Sequence, residues 1–241
     1  MESSVTNQRL IQIVSGPPPV SISEVLTVMQ RIDDVLPNSD GLKWFNLLYW
    51  KVTLEVDSNP PAGGWENSAW LTRLDVVFAQ FYFNAILNCL TSSAGVPSSW
   101  EALFEARLQP CIERIQFALA GMNAHINHDL SLALLQTNAE LDLTPGKTSP
   151  EHDDYELVNG LLEAVLPQAL QFLAAGILGE LAQDSGKVGR LLAIWNVRAA
   201  RDMAWDFACH LRSLSGIARG TALAVQDQTT GVLGRSLLLT A

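Results

Sequence analysis

Residues 121–135 read GMNAHINHDLSLALL, and the reading of this stretch decides the fold. Its apolar residues recur at intervals of three and four, the signature of one face of an α-helix rather than the alternation of a strand. At about 100° per residue, Ala118, Met122, His125, Asp129 and Leu132 fall in one sector, with His128 beside it. Side chains four apart stack along a helix, so His125 and Asp129 can converge on one point. A carboxylate on an otherwise apolar face is unfavourable to bury unless it is paired, hydrogen-bonded or bound to a metal. The stretch therefore reads as a core helix that carries polar chemistry.

The same periodicity runs outward in both directions, and no strand pattern interrupts it. Residues 21–36 form an expected helix with a Ser21…Glu24 capping box, stopped by Pro37. Asn38, Ser39 or Asp40 caps the next, which runs to about Val56 and breaks at DSNPPAGG, residues 57–64. Further helices are expected over residues 67–90 and 100–107, then over a long segment from Pro110, in its first turn, to Ala139. Beyond LTPGKTSP, residues 143–150, helices are expected over 151–182 with a kink at Pro167, over 187–214 and over 217–238. The sum is a single all-α domain, a bundle of roughly seven or eight helices spanning residues 21–241. The first 20 residues, ending Gly16-Pro17-Pro18-Pro19, read as a stiff peripheral leader.

Composition narrows the function. Of 241 residues 48% are apolar and 17% charged, which suits a large buried core. A formal charge of −10 argues against a nucleic-acid partner and against docking to anionic membranes. Cys89, Cys111 and Cys209 are scattered and odd in number, as free thiols in a reducing compartment would be. The N-terminus lacks a basic start and an apolar run, so no secretory signal is read there. The most membrane-like stretch, residues 164–179, is interrupted by Pro167, Gln168 and Gln171 and falls short of the roughly 20 residues of a span. A cytoplasmic protein with a small-molecule substrate is expected, and homo-oligomerisation stays open.

Two other segments share the oddity of the central one. In RLDVVFAQFYF, Asp75 lies on a face with Leu71, Phe78, Ala79 and Tyr82. In EHDDYELVNGLLEAV, Asp154 can point inward with Leu157, Val158 and Leu161. Two imidazoles with carboxylates from neighbouring helices suit Zn, Fe(II) or Mn, so His125, His128, Asp129, Asp75 and Asp154 are the candidate metal ligands. Such a metal would activate a water for hydrolysis of a phosphoester or related bond. The bland alternative is a hydrogen-bonded cluster in which Asp129 or Asp75 accepts from His, Trp, Tyr or Arg73. In WNVRAARDMAWDFACHLRSL, Asp206 and His210 offer a further carboxylate–imidazole pair or a solvated face, with Arg198 and Arg201 adjacent. Cys209 faces away from His210, which disfavours a thiol nucleophile. Seven tryptophans serve as core anchors or as the lining of an apolar pocket.

RLDVVFAQFYF, LFEARL, IQFALAGMNAHINHDLSLAL, DYELVNGLL and WNVRAARDMAW occur here in an order that resembles an all-helical domain-of-unknown-function family, DUF5995. AGMNAHINHDL is the most specific block. The resemblance covers about residues 70–238 and implies that Asp75, Asn123, His125, Asn127, His128, Asp129, Asp154 and Asn159 belong to a shared signature. It implies no activity. Three functions are compatible with these residues. The first is a metal-dependent hydrolase, with His125, His128, Asp129 and Asp75 as its catalytic groups. The second is a metal-independent lyase or cyclase of specialised metabolism, with His125 and Asp129 as acid and base on an apolar substrate. The third is a ligand-binding module without catalysis.

Overall fold

The computed structural model describes residues 2–91, 95–175 and 196–239, and these are helical with no strand among them. The helices are α1 (Glu2–Val14), α2 (Ile22–Val35), α3 (Leu42–Ser58), α4 (Ser68–Thr91) and α5 (Ser98–Ala106). The central helix α6 comprises Arg114–Ala124, a π-helical turn His125–Asp129 and Leu130–Glu140. It is followed by α7 (Pro150–Ala175), α8 (Val197–Ser213) and α9 (Gly216–Leu237). The all-α single-domain architecture is as expected, with nine helices among the described residues rather than seven or eight. Lys187, Arg190, Trp195 and the end of the apolar stretch 164–179 lie outside the described residues.

The additional helix is α1, and it corrects the expectation of a peripheral leader. Leu10, Ile13 and Val14 form a stripe at helical spacing that is buried against α2 and α4, and Leu10 is fully enclosed. Asn7 accepts a hydrogen bond from Arg107, whose guanidinium also faces Asp40 at 3.5 Å. The first helix thus helps to hold a buried ion pair at the start of α3.

Local chemistry sets most of the helix ends. Ser21 Oγ accepts from the Glu24 amide at 3.3 Å, while Glu24 accepts from the Val20 amide at 2.9 Å. Asp40, among the three candidates, caps α3 through the Leu42 amide at 3.1 Å. Helix α6 begins at Arg114 and not at Pro110, because Gln116 turns back to accept from the Glu113 amide at 3.1 Å. Pro167 lies inside α7, which continues to Ala175.

Helix α6 is the axis of the bundle, packed by α3, α4, α5, α7, α8 and α9. Helix α4 is long and apolar enough to cross a membrane by length and composition, a property that core helices share. Its Trp70, Leu74, Tyr82, Phe83 and Ile86 are buried in the bundle. Helix α9 lies against α5 at Gly231, where an added Cβ would sit 2.7 Å from the Ser98 carbonyl oxygen. That neighbour is backbone and cannot rotate away. Gly231→Ala is therefore expected to push α9 off α5 and lower stability by about 1–3 kcal/mol, measured as an earlier midpoint in urea.

Candidate active site

The centre of the molecule is the π-helical turn of α6. Its extra residue is recorded by the Leu130 amide, which donates to the His125 carbonyl five residues back. Turns of this kind occur often at functional sites. The Asn127 carbonyl in this turn accepts from Gln226 of α9 at 2.7 Å. Asn127 donates to Asn123 at 2.9 Å, and Asn123 donates to the Thr230 carbonyl at 2.9 Å. These contacts tie the turn to α9, so Asn123 and Asn127 work as backbone anchors.

His125 and His128 converge, as their spacing predicts, but they converge on Asp129. His125 Nδ1 lies 3.0 Å from Asp129 Oδ2 and His128 Nδ1 lies 2.9 Å from Oδ1. Trp100 Nε1 donates to the same Oδ2 at 2.9 Å. Burial opposes the charge on Asp129, yet the two histidine hydrogen bonds outweigh it and hold the carboxyl below its ordinary pKa. Burial likewise works against a charged His128. Its bond to Asp129 and the charges of Asp129 and Asp227 prevail, and its pKa is raised. The far side of His128 faces Asp227 Oδ1 at 3.7 Å. Asp227 in turn accepts from the Ser98 and Ser99 amides at 2.8 and 2.9 Å, at the start of α5.

His125 is different. Burial lowers its pKa despite the bond to Asp129, so the ring is neutral near pH 7. The neutral tautomer that satisfies Asp129 carries its proton on Nδ1 and leaves a lone pair on Nε2. That Nε2 is buried and has no hydrogen-bond partner. The ring is clamped by Phe78, stacked at 3.5 Å and 3° from parallel, and by Tyr49 at 4.4 Å. Phe45 presses on it from 5.7 Å. Phe45 reaches that position because residue 121 is glycine, where a Cβ would fall 2.3 Å from its ring.

His125 lines a cavity of about 70 Å³ between α3, α4, α6, α7 and α8. Asp75 lines it as well, with Oδ2 buried and unpartnered. Burial raises the Asp75 carboxyl to a pKa of about 7, with Arg201 opposing and Asp57 adding to the rise. Tyr49, Thr53 and Arg201 are the other polar groups on the wall, and Val52, Val56, Leu162 and Val197 are among the apolar ones. A neutral imidazole with a free lone pair and a carboxyl that is half-protonated near neutrality thus share one small, mostly apolar chamber.

The five-residue metal set expected from the sequence is not brought together. Asp154 is fully buried, but its oxygens accept from the Glu66 and Asn67 amides at 2.8 and 2.7 Å and cap the start of α4. His128 and Asp129 are engaged with each other, with His125, with Trp100 and with Asp227. Among the described residues no three His, Cys, Asp or Glu side chains are placed to hold a metal ion. Asp206 and His210 are exposed, and Asp206 pairs with Lys147 at 2.7 Å. Asn159 is buried and accepts from Arg201 Nε.

Trp100 and Asp227 are site residues that the sequence does not single out, and Arg201 is read there only as a neighbour of Asp206 and His210. Trp100 and Asp227 lie on other helices with no local signal. Arg201 had one, because Val197, Arg201, Ala204, Trp205 and Ala208 form a single buried stripe on α8. An arginine in that stripe is as conspicuous as the aspartate in α6.

The fold and the site together describe an all-helical domain built around a buried His–Asp centre. The chain belongs to the family of unknown function DUF5995, which matches residues 22–240. No curated protein and no solved structure matches it.

Proposed function

We propose that the protein is an enzyme that moves protons on a small, largely apolar substrate, as a lyase or cyclase does. His125 is the base and Asp75 the acid. The observation that carries this reading is the pair of buried, unpartnered atoms, His125 Nε2 and Asp75 Oδ2, on residues that line one cavity. Unsatisfied buried polar groups are costly, and they collect where function requires them. Asp129 holds the imidazole in the tautomer that exposes Nε2, and Phe78 and Tyr49 fix its plane. His125 Nε2 takes a proton from the substrate, while protonated Asp75 gives one to the leaving group or to the carbon or oxygen that gains hydrogen. Proton exchange with solvent then resets both. Groups with pKa values near neutrality are suited to this work.

Hydrolysis at a metal-bound water receives less support, because its ligands would have to turn lone pairs to one point and His128 and Asp154 direct theirs elsewhere. The test is deuterium exchange. Incubated with a small-molecule metabolite extract in D₂O, the protein is expected to place deuterium on carbon in one or a few compounds. His125→Gln and Asp75→Asn should each lower that rate about 10²–10⁴-fold, and His210→Gln should not. The same labelling pattern with His125→Gln, or no labelling above the extract alone, overturns the reading.

A further inference from the structure

Arg201 faces the same cavity, and proton transfer does not use it. It is 6% exposed, on a helix whose other inward residues are apolar or aromatic. The contacts that hold its guanidinium are uncharged. Nε donates to Asn159 Oδ1, one Nη donates to the Tyr155 carbonyl at 3.3 Å, and the group lies 4.1 Å above the Tyr155 ring. Among the described residues no carboxylate forms an ion pair with it. Buried charges are normally paired, because an isolated one is heavily penalised. Asp75, an acid on the same wall, feels the Arg201 charge but forms no ion pair with it, and its Oδ2 is without a hydrogen-bond partner.

We infer that the cavity takes the carboxylate of a small organic acid, with Arg201 as the counter-charge. This deepens the proton-transfer reading and rests on the cavity being its substrate site. Three features favour a monocarboxylate. The forked, planar guanidinium matches a carboxylate in two parallel hydrogen bonds. One arginine neutralises one charge, which suits a carboxylate better than a doubly charged phosphate. The cavity of about 70 Å³ is small, which restricts the acid to a short chain. A carboxylate held by Arg201 would lay that chain against Val52, Val56 and Leu162. Arg201 would then orient the acid so that its carbon skeleton lies before His125 Nε2.

The experiment compares propionate and butyrate with propionamide, butyramide and inorganic phosphate, using ligand-detected NMR on the full chain. The acids are expected to bind at least tenfold more tightly than their amides and more tightly than phosphate. Arg201→Gln should lower the affinity for the acids by tenfold or more while leaving the amides little changed. Val52→Phe, at the half-buried edge of the cavity, should remove binding altogether and serves if Arg201→Gln does not fold. Equal binding of acids and amides, binding of phosphate in preference to both, or acid binding unchanged by Val52→Phe overturns the inference. If amides bind as well as acids and Val52→Phe removes both, the carboxylate assignment falls and the cavity reading stands. If acids bind as expected but deuterium exchange ignores His125→Gln, the proton-transfer reading falls and the carboxylate site stands.

Discussion

Asp75→Asn is expected to stabilise the protein at pH 8 and to leave its stability almost unchanged at pH 4. The carboxyl is buried without a hydrogen bond on Oδ2, and burial raises its pKa to about 7. An aspartate in the unfolded chain titrates near 3.9. Below about pH 4 the group is protonated in both states and contributes no pH dependence. Between about 4 and 7 the unfolded chain gives up its proton while the folded one retains it, so stability declines as pH rises. Above 7 the penalty is complete. A shift of about three units corresponds to roughly 4 kcal/mol, a net value in which the attraction of Arg201 is already included. For a chain of this length that is a rise of roughly 5–15 °C in melting temperature. Calorimetry of both proteins at pH 4 and pH 8 checks it. A gain of the same size at both pH values, or a loss at pH 8, would show that the carboxylate is not held uncompensated. A stabilised variant that no longer exchanges deuterium would display the trade between stability and activity that catalytic groups impose.

The fold was legible in the sequence to the extent that single helices declare themselves. Spacings of three and four, Ser21 and Asp40 as caps, and the breaks at residues 57–64 and 143–150 depend on neighbours within one turn of chain. Errors arose where a tertiary contact overrode a local cue. Pro17 to Pro19 suggested a stiff leader, but Leu10, Ile13 and Val14 find a groove between α2 and α4. Pro110 suggested a first turn, and Gln116 set the true start four residues later.

The site was half legible. The strip from His125 to Asp129 and the inward Asp75 stood out because a polar group on an apolar face needs a reason. What each group touches could not be read from that pattern. Asp154 looks the same in sequence whether it faces a ligand or caps a helix through an amide 87 residues earlier. Spacing at 100° per residue also assumes a regular helix. The π-helical turn departs from that spacing, and in it both imidazoles meet the carboxylate between them. Residues that cluster by spacing alone can therefore be one another's partners, and a ligand set must be judged by where the remaining lone pairs go. In the π-helical turn one such pair, on His125 Nε2, remains.

Asp129→Leu is expected to be the most destabilising single substitution at the centre, at about 3–5 kcal/mol. Three buried donors, from Trp100, His125 and His128, would lose their acceptor at once. Asp129→Asn separates the charge from the shape. Its amide oxygen can still accept from Trp100 and His125, while its NH₂ group meets His128 Nδ1 and forces that ring to carry its proton on Nε2, towards Asp227. A loss of about 1–3 kcal/mol is expected, the range for one disturbed buried hydrogen bond. The pH dependence should change as well. In the native protein the raised pKa of His128 adds stability that is fully present below the unfolded value of about 6.5 and is lost as pH rises through the folded value. Asp129→Asn removes the hydrogen bond and the nearer charge that offset burial, so the His128 pKa falls and this contribution shrinks or reverses. Histidine NMR titration against pH, with Asp227→Asn as a companion variant, separates the two carboxylates. A His128 that titrates unchanged in Asp129→Asn, in a protein that melts with the native one, would mean that Asp129 does not govern the charge at the centre.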